Sequence, residues 1–273
     1  MRPRRDRCSG LALILFCLST PGLCLGAGEQ NLSEQQIEHF LLTAKVVNFR
    51  HSSKGITDTL RLTLSDGTVT HDASFQAIDE HKTEVTMPDG HRELLFVDSY
   101  KYNIAAYRLA QLLGLADMVP VYVERKWQGQ TGSLSWWLPV QVDEAERVKR
   151  KISPPDSDDW NKQMYKVRVL DELVYDTDPN LTNVLIGPDW KIYRIDFTRA
   201  FRLAKTLKNP KDLVRCDRTL FDKLKALDKN ELARRTSGYL TKDEVGAVMA
   251  RRDKIVASFQ KLIAESGENQ VLY

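Results

Sequence analysis

An α+β fold in two lobes, β-rich towards the N-terminus and mostly helical towards the C-terminus, is predicted by three observations on this chain of 273 residues. Between Val46 and Val142 apolar and polar residues tend to alternate, and the alternation is punctuated by Asp66-Gly67, Pro88-Asp89-Gly90 and Gly129 with Gly132. That is the period and the turn chemistry of strands. From Met164 onward the apolar residues recur instead at the spacing of one helical face. Between the two regimes lies ISPPDSDDW, Ile152 to Trp160, whose paired prolines and acidic run suit a linker.

The elements follow in order. Ser33 with Gln36 forms a capping-box pattern ahead of Ile37, Phe40 and Leu41 and predicts a short helix. Val46 to Phe49 reads as a strand, and Leu60 to Ile78 as a hairpin turning at Asp66-Gly67. After a loop around Pro88-Asp89-Gly90, a helix is expected over Asp98 to Leu113 with Gly114 as its C-cap glycine. Val119 to Val142 is a second β-rich segment, with Gly129 and Gly132 at its turn, and Asp143 to Lys151 reads as a charged helix. Beyond the linker, Met164, Val167, Leu170, Leu173 and Val174 form a core-facing helical stripe. A hairpin then turns at Gly187-Pro188-Asp189, and amphipathic helices are expected near Lys211 to Leu227, Leu240 to Arg251 and Asp253 to Ala264. The domain organisation is therefore residues 1–27 as a signal segment, 28–151 as the N-terminal lobe, 152–160 as the linker and 161–273 as the C-terminal lobe.

The first residues set the expected address. MRPRRDR is a basic n-region, Leu11 to Leu18 an apolar core, and Leu23 to Gly28 offers small residues for cleavage near Ala27. The apolar run is far shorter than the ~20 residues a spanning helix needs. Export to a periplasmic or cell-envelope address is the expectation; an uncleaved anchor and lipid attachment through Cys24 are the alternatives that the same segment leaves open. The full chain has 40 Lys and Arg against 37 Asp and Glu, and removing residues 1–27 leaves 36 of each, so the basic excess belongs to the signal segment. A nucleic-acid partner therefore has no electrostatic support. Cys216 alone of four cysteines lies beyond that segment, which excludes an intramolecular disulfide or a cysteine metal site in the processed chain. No Ser-His-Asp or G-x-S-x-G pattern supports a hydrolase, and the histidines lack metal-ligand spacing. Two glycosylation acceptor patterns, at Asn31 and Asn180, are read as silent in a chain that meets no glycosylation machinery.

The chemistry concentrates in YDTDPNLTNVLIGPDWKIYRIDFTRAF, Tyr175 to Phe201. Asp178 is followed five positions later by Asn183, and Asp196 precedes Phe197 on the far side of the hairpin. Phosphoryl transfer asks for such a set: a carboxylate to take the attacking hydroxyl's proton, and hard oxygen ligands for the Mg²⁺ or Mn²⁺ that neutralises the phosphates. Asp178 is the candidate base, and Asn183 and Asp196 are the candidate metal ligands.

A hairpin ending ASFQ, a helix reading NIAAYRLAQLLGL with a VP step after it, then DTDPNLTN and IDF, resembles the atypical kinase group of phosphatidylinositol 3- and 4-kinases, HipA-type toxin kinases and secreted Golgi casein kinases. The resemblance runs from about Val46 to Phe201 and implies a two-lobed protein-kinase-like fold, here in a bacterial exported member, with ATP and a divalent metal between the lobes. It also implies a strand lysine paired with a helix glutamate. This sequence has Gln76 and Asn103 at those positions, a neutral pair, and Pro179-Asn180 where the group shows Arg-His. Lys54, beside Gly55 in a polar loop, and Arg199 are the preferred replacements for the missing charge; Lys82, Lys101 and Arg202 are the others considered. Trp136-Trp137 is a candidate wall for the base.

The expectation is an exported kinase-like phosphotransferase acting on an unknown acceptor, whether protein, lipid or small molecule, with no spanning helix in the processed chain. The alternative is a pseudokinase, a nucleotide- or partner-binding scaffold that keeps the fold without the transfer.

Overall fold

The computed structural model describes residues 32–51, 59–87, 90, 92–178 and 180–273. The signal segment, Cys24, Asn31, Lys54, Gly55 and Pro179 lie outside the described residues.

Helix α1 (Glu34–Thr43) starts at the expected capping box: the Ser33 amide donates to Gln36 Oε1 at 2.8 Å, and the Gln36 amide donates back to Ser33 Oγ at 3.3 Å. Strands β1 (Lys45–His51), β2 (Leu60–Ser65) and β3 (Thr70–Gln76) form the predicted antiparallel meander, with Leu60 opposite Phe75. The turn at Asp66-Gly67 is held by the Asp66 carboxylate, which accepts the amides of Thr68 and Val69, while Gly67 supplies a φ of 94°.

Strands β4 (Asp79–Thr86) and β5 (Arg92–Ser99) follow, a two-stranded sheet of their own. The sequence predicts only a loop around Pro88-Asp89-Gly90 here, of which Pro88 and Asp89 lie outside the described residues, because charged residues dominate β4 and mask its period. Helix α2 (Tyr100–Leu113) is capped by Ser99 and ends at Gly114 in the left-handed region, as its sequence predicts. Strands β6 (Tyr122–Trp127) and β7 (Gln130–Trp136) complete a five-stranded sheet of order β1-β2-β3-β7-β6. Their turn uses Gln128 and Gly129, both at positive φ. Gly132 is not in that turn but inside β7, where a Cβ would stand 2.3 Å from the Gln76 carbonyl oxygen. Its missing side chain is what lets β7 close on β3 beside Gln76.

The chain leaves the large sheet through residues 137–141. Strand β8 (Val142–Asp143) pairs with β9 (Val184–Ile186), which pairs in turn with β10 (Ile192–Arg194). Helix α3 (Glu144–Lys149) follows β8. Helix α4 (Ser157–Val174) begins inside the acidic run, because Asp156 caps it by accepting the amides of Asp158 and Asp159.

Helices α5 (Arg218–Ala226), α6 (Lys229–Arg235), α7 (Lys242–Ser266) and α8 (Glu268–Val271) complete the fold. The two segments expected at Leu240 to Arg251 and Asp253 to Ala264 are one helix of 25 residues, since nothing at Arg252 breaks it. Within it Arg251 is fully buried and donates to the carbonyl oxygens of Leu173, Arg202 and Ala204. The architecture is thus α+β, β-rich first and helical after. Among the described residues no helix is long and apolar enough to cross a membrane.

Candidate active site

Helix α4 ends at Tyr175, in the left-handed region at φ 50°. The next residue, Asp176, is buried, and it organises the loop: its Oδ1 accepts the Asp178 amide at 2.9 Å, and its Oδ2 pairs with Arg194 of β10. Arg194 is itself fully buried, and it also donates to Asp171 Oδ1 at 3.0 Å. Burial pushes the Asp176 carboxyl up to about 6 against the pull of Arg194. Burial alone would lower Arg194, but Asp171 and Asp176 outweigh it and hold the guanidinium above its ordinary value.

From Asp178 the chain turns tightly. The Asn180 amide donates to the Asp178 carbonyl, and Leu181–Asn183 form a 3-10 turn capped by the Asn180 side chain. The Asn183 carbonyl then accepts the Ile195 amide at 3.0 Å, extending the β9–β10 ladder by one step and laying Asn183 beside the Ile195-Asp196 step. Asp196 adopts a left-handed φ of 59°. Its Oδ1 accepts the Thr198 hydroxyl at 3.2 Å. Burial raises the Asp196 carboxyl; Thr198 and Arg194 oppose the shift, and the charge of Asp178 adds to it. Asp98, at the end of β5, joins this group: burial raises it, Thr198 opposes, and Asp196 adds. Its Oδ1 is buried with no hydrogen-bond partner among the described residues.

The donor set fits a hard divalent cation. Asp196 and Asn183 offer a carboxylate and an amide oxygen, Asp178 and Asp98 add negative charge, and a buried carboxylate oxygen is unsatisfied. Among the described residues no three His, Cys, Asp or Glu side chains form a metal cluster. A cation here would therefore take further ligands from phosphate oxygens or water, the manner in which Mg²⁺ is commonly held.

Gln76 and Asn103 meet as the sequence suggested. Asn103 is fully buried on α2, and its Nδ2 donates to Gln76 Oε1 at 2.7 Å and to Ser133 Oγ at 3.2 Å. Its Oδ1 accepts the Phe197 amide at 2.7 Å. Gln76 Nε2 donates to Thr59 Oγ1 at 3.3 Å. The Asn103 amide is thereby saturated by β3, β7 and the residue after Asp196, which leaves it a brace with no hydrogen free for a ligand. Tyr122 adds a further link, since its hydroxyl interacts with the Ser135 side chain and the Asp196 backbone.

Each expected compensating cation among the described residues has a carboxylate partner, and Lys54 lies outside those residues. Arg199 Nη2 donates to Glu93 Oε2 at 2.7 Å, Lys82 pairs with Glu80, and Lys101 pairs with Asp79 at 2.8 Å. The tryptophan pair is split by strand alternation. Trp136 stacks on His71 with centroids 3.4 Å apart and meets Phe40 of α1 edge-on. Trp137 instead carries the Arg61 guanidinium 4.1 Å above its ring. By alternation Arg61, opposite Ser74, shares a sheet face with Gln76. Surface depressions of about 420 Å³, between Leu207 and Lys254, and about 240 Å³, between Gly114 and Lys166, include none of these residues.

The residues that sequence reasoning missed are Glu93 and Ser133, together with Asp98 as a member of the acidic group. Glu93 belongs to a hairpin of which the sequence predicts only a loop. Ser133 carries no motif that would single it out.

No protein-family model and no curated protein matches the sequence. Solved structures do match the fold. A Fam20 protein of hydra, solved with sugar, superposes with a TM-score of 0.63 at 13% identity over 90% of this chain and 93% of that one. The Golgi casein kinase gives 0.61 at 14% identity over 88% and 79%, and a structure of it holds Mn and ADP. The Helicobacter pylori proinflammatory kinase CtkA gives 0.52 at 11% identity over 83% and 98%. The chain therefore has an atypical kinase-like fold, as its motifs suggested.

Proposed function

We propose that this chain is an exported kinase-like phosphotransferase that binds ATP with Mg²⁺ or Mn²⁺ and transfers a phosphoryl group to an acceptor of unknown class. Asp178 takes the proton of the attacking hydroxyl, and Asn183 and Asp196 hold the metal. When bound, the metal supplies charge neutralisation at the phosphates. The observation that carries the reading is the Asn183 to Ile195 hydrogen bond, which sets both candidate ligands side by side at the end of one hairpin. The Mn and ADP held by the Golgi casein kinase support the choice of cofactors by likeness of fold. Gln76, Asn103, Lys54, Gly55 and Arg199 border the nucleotide in this reading. The signal pattern of residues 1–27 supports a periplasmic or envelope address, and the N-terminal lobe, linker and C-terminal lobe are those of residues 28–151, 152–160 and 161–273.

One observation favours the pseudokinase as a second reading: the Gln76–Asn103 pair carries no charge to offer a phosphate. Turnover separates the two. The enzyme reading requires ATP consumption or autophosphorylation that vanishes in Asp178→Ala and in Asp196→Ala. Nucleotide- and Mn²⁺-dependent thermal stabilisation without turnover supports the scaffold; no stabilisation at all overturns both.

A further inference from the structure

Two arginines just after Asp196 share a single carboxylate. Arg199 Nη2 and Arg202 Nη2 approach Glu93 Oε2 and Oε1 at 2.7 and 2.5 Å, so that each guanidinium takes one oxygen. The Phe96 ring faces both, at 5.3 and 5.7 Å. All three ionic side chains are 13–15% exposed. Three of the guanidinium nitrogens, Arg199 Nε, Arg202 Nε and Arg202 Nη1, are buried with no hydrogen-bond partner among the described residues. Native structures leave few such donors orphaned, because each costs about 1–3 kcal/mol when unsatisfied. Burial depresses Arg202, and Arg199 adds to the effect while Glu93 opposes it. One carboxylate is too little charge and too few acceptors for two buried guanidinium groups.

The pair sits against the candidate catalytic loop. Arg202 Nη2 lies 3.3 Å from Thr177 Oγ1, and the Arg199 carbonyl accepts both the Thr177 amide and its hydroxyl. Thr177 immediately precedes Asp178. Glu93, by contrast, belongs to the β4–β5 hairpin, which pairs with neither of the other sheets. Its placement also depends on Leu95, whose left-handed φ of 52° breaks the alternation of β5. Glu93 and Phe96 can then both turn inward, while Leu94 and Leu95 are left exposed.

We infer that Arg199 and Arg202 form a binding site for a phosphoryl oxyanion, and that Glu93 occupies it as an internal stand-in on a hairpin that must move for the anion to enter. A phosphate brings more oxygens and more charge than one carboxylate, and guanidinium forks match its geometry. The anion is either the phosphate tail of the nucleotide or a free phosphate. The inference rests on the proposed function only for its place beside Asp178.

Calorimetric titration with pyrophosphate, without metal or nucleotide, tests it apart from that reading. Glu93→Gln should bind pyrophosphate at least about tenfold tighter than the unmodified chain, and Glu93→Gln with Arg199→Gln should lose the gain. Equal affinity in Glu93→Gln, or a gain that survives loss of Arg199, overturns the proposal. Should Glu93→Gln fail to fold, hydrogen exchange on the unmodified chain decides. Saturating pyrophosphate should speed exchange of the β4–β5 amides, and unchanged exchange overturns the proposal. In Glu93→Gln, competition between pyrophosphate and Mn²⁺-ATP would support the nucleotide tail as the source, and simultaneous binding would support a separate phosphate. Failure of Mn²⁺-ATP to bind while pyrophosphate does would sink the nucleotide reading alone.

Discussion

The side-chain oxygen of Asn103 accepts the Phe197 amide at 2.7 Å, so a single buried carboxamide ties helix α2 to the residue that follows Asp196. A charged pair would couple this junction to pH and to phosphate. The neutral brace holds it whatever the ligand.

Asn103→Ala removes three hydrogen bonds at once and leaves the Phe197 amide, Gln76 Oε1 and Ser133 Oγ short of a partner. The expected cost is about 2–4 kcal/mol, read by urea denaturation. Asn103→Asp keeps the acceptor for Phe197 but loses both donations and places a carboxylate in a fully buried site, so at neutral pH it should be destabilised at least as much as Asn103→Ala.

Gly132→Ala places a methyl 2.3 Å from the Gln76 carbonyl oxygen, so β7 and β3 must separate. Overpacking of this kind costs about 1–3 kcal/mol. Denaturation midpoints should fall accordingly, and the β3 amides near Gln76 should exchange faster. Gly129→Ala, in an open turn, should leave those amides protected.

Arg194→Met strips the partner from Asp176 and should destabilise the chain by about 3–5 kcal/mol at neutral pH, as broken buried pairs do. The Asp176 carboxyl, about 6 with Arg194 beside it, would rise further in the variant. The deficit should therefore shrink as pH falls through and below that value, where Asp176 is protonated and carries no buried charge.

Asp98 and Asp196 are both raised above the ordinary 3.8, chiefly by burial. The folded state thus binds their protons more tightly than the unfolded one, and this contribution is present below 3.8 and lost as pH rises through the folded values. Relative to Asp98→Asn with Asp196→Asn, the metal-free chain should lose stability as pH climbs above about 4. Differential denaturation over that range checks it. Mn²⁺ should narrow the gap in the unmodified chain only, and should bind more tightly as pH rises because binding displaces protons.

Cys216 is fully buried and its thiol is pushed up to about 12, mainly by burial. The native chain should resist alkylation at about pH 8, where an exposed cysteine reacts as its thiolate. Rapid labelling under native conditions, read by mass spectrometry, would contradict this placement.

Much of this architecture is legible from local chemistry. Ser33 with Gln36, Asp66-Gly67 and Gly114 each encode a cap or turn within a few residues, and the hairpin between Asn183 and Asp196 follows from strand period and one turn. What escapes is set by distant partners. The β4–β5 hairpin is hidden by surface charge on β4, and Glu93 finds Arg199 across 106 positions. The role of Gly132 depends on a carbonyl of another strand. Two helices were expected where α7 is continuous, because the amphipathic pattern shifts although the backbone does not.

Arg251 gathers carbonyls from the end of α4 and from both sides of Leu203, so one side chain clamps the stretch leading into the Asp178 loop and the stretch leading away from Asp196. Mechanically, this makes the helical half an anvil. Whatever yields when a ligand arrives should be the part that Arg251 does not reach, and the β4–β5 hairpin, fastened there through Glu93 and Phe96, is the cover left free to lift.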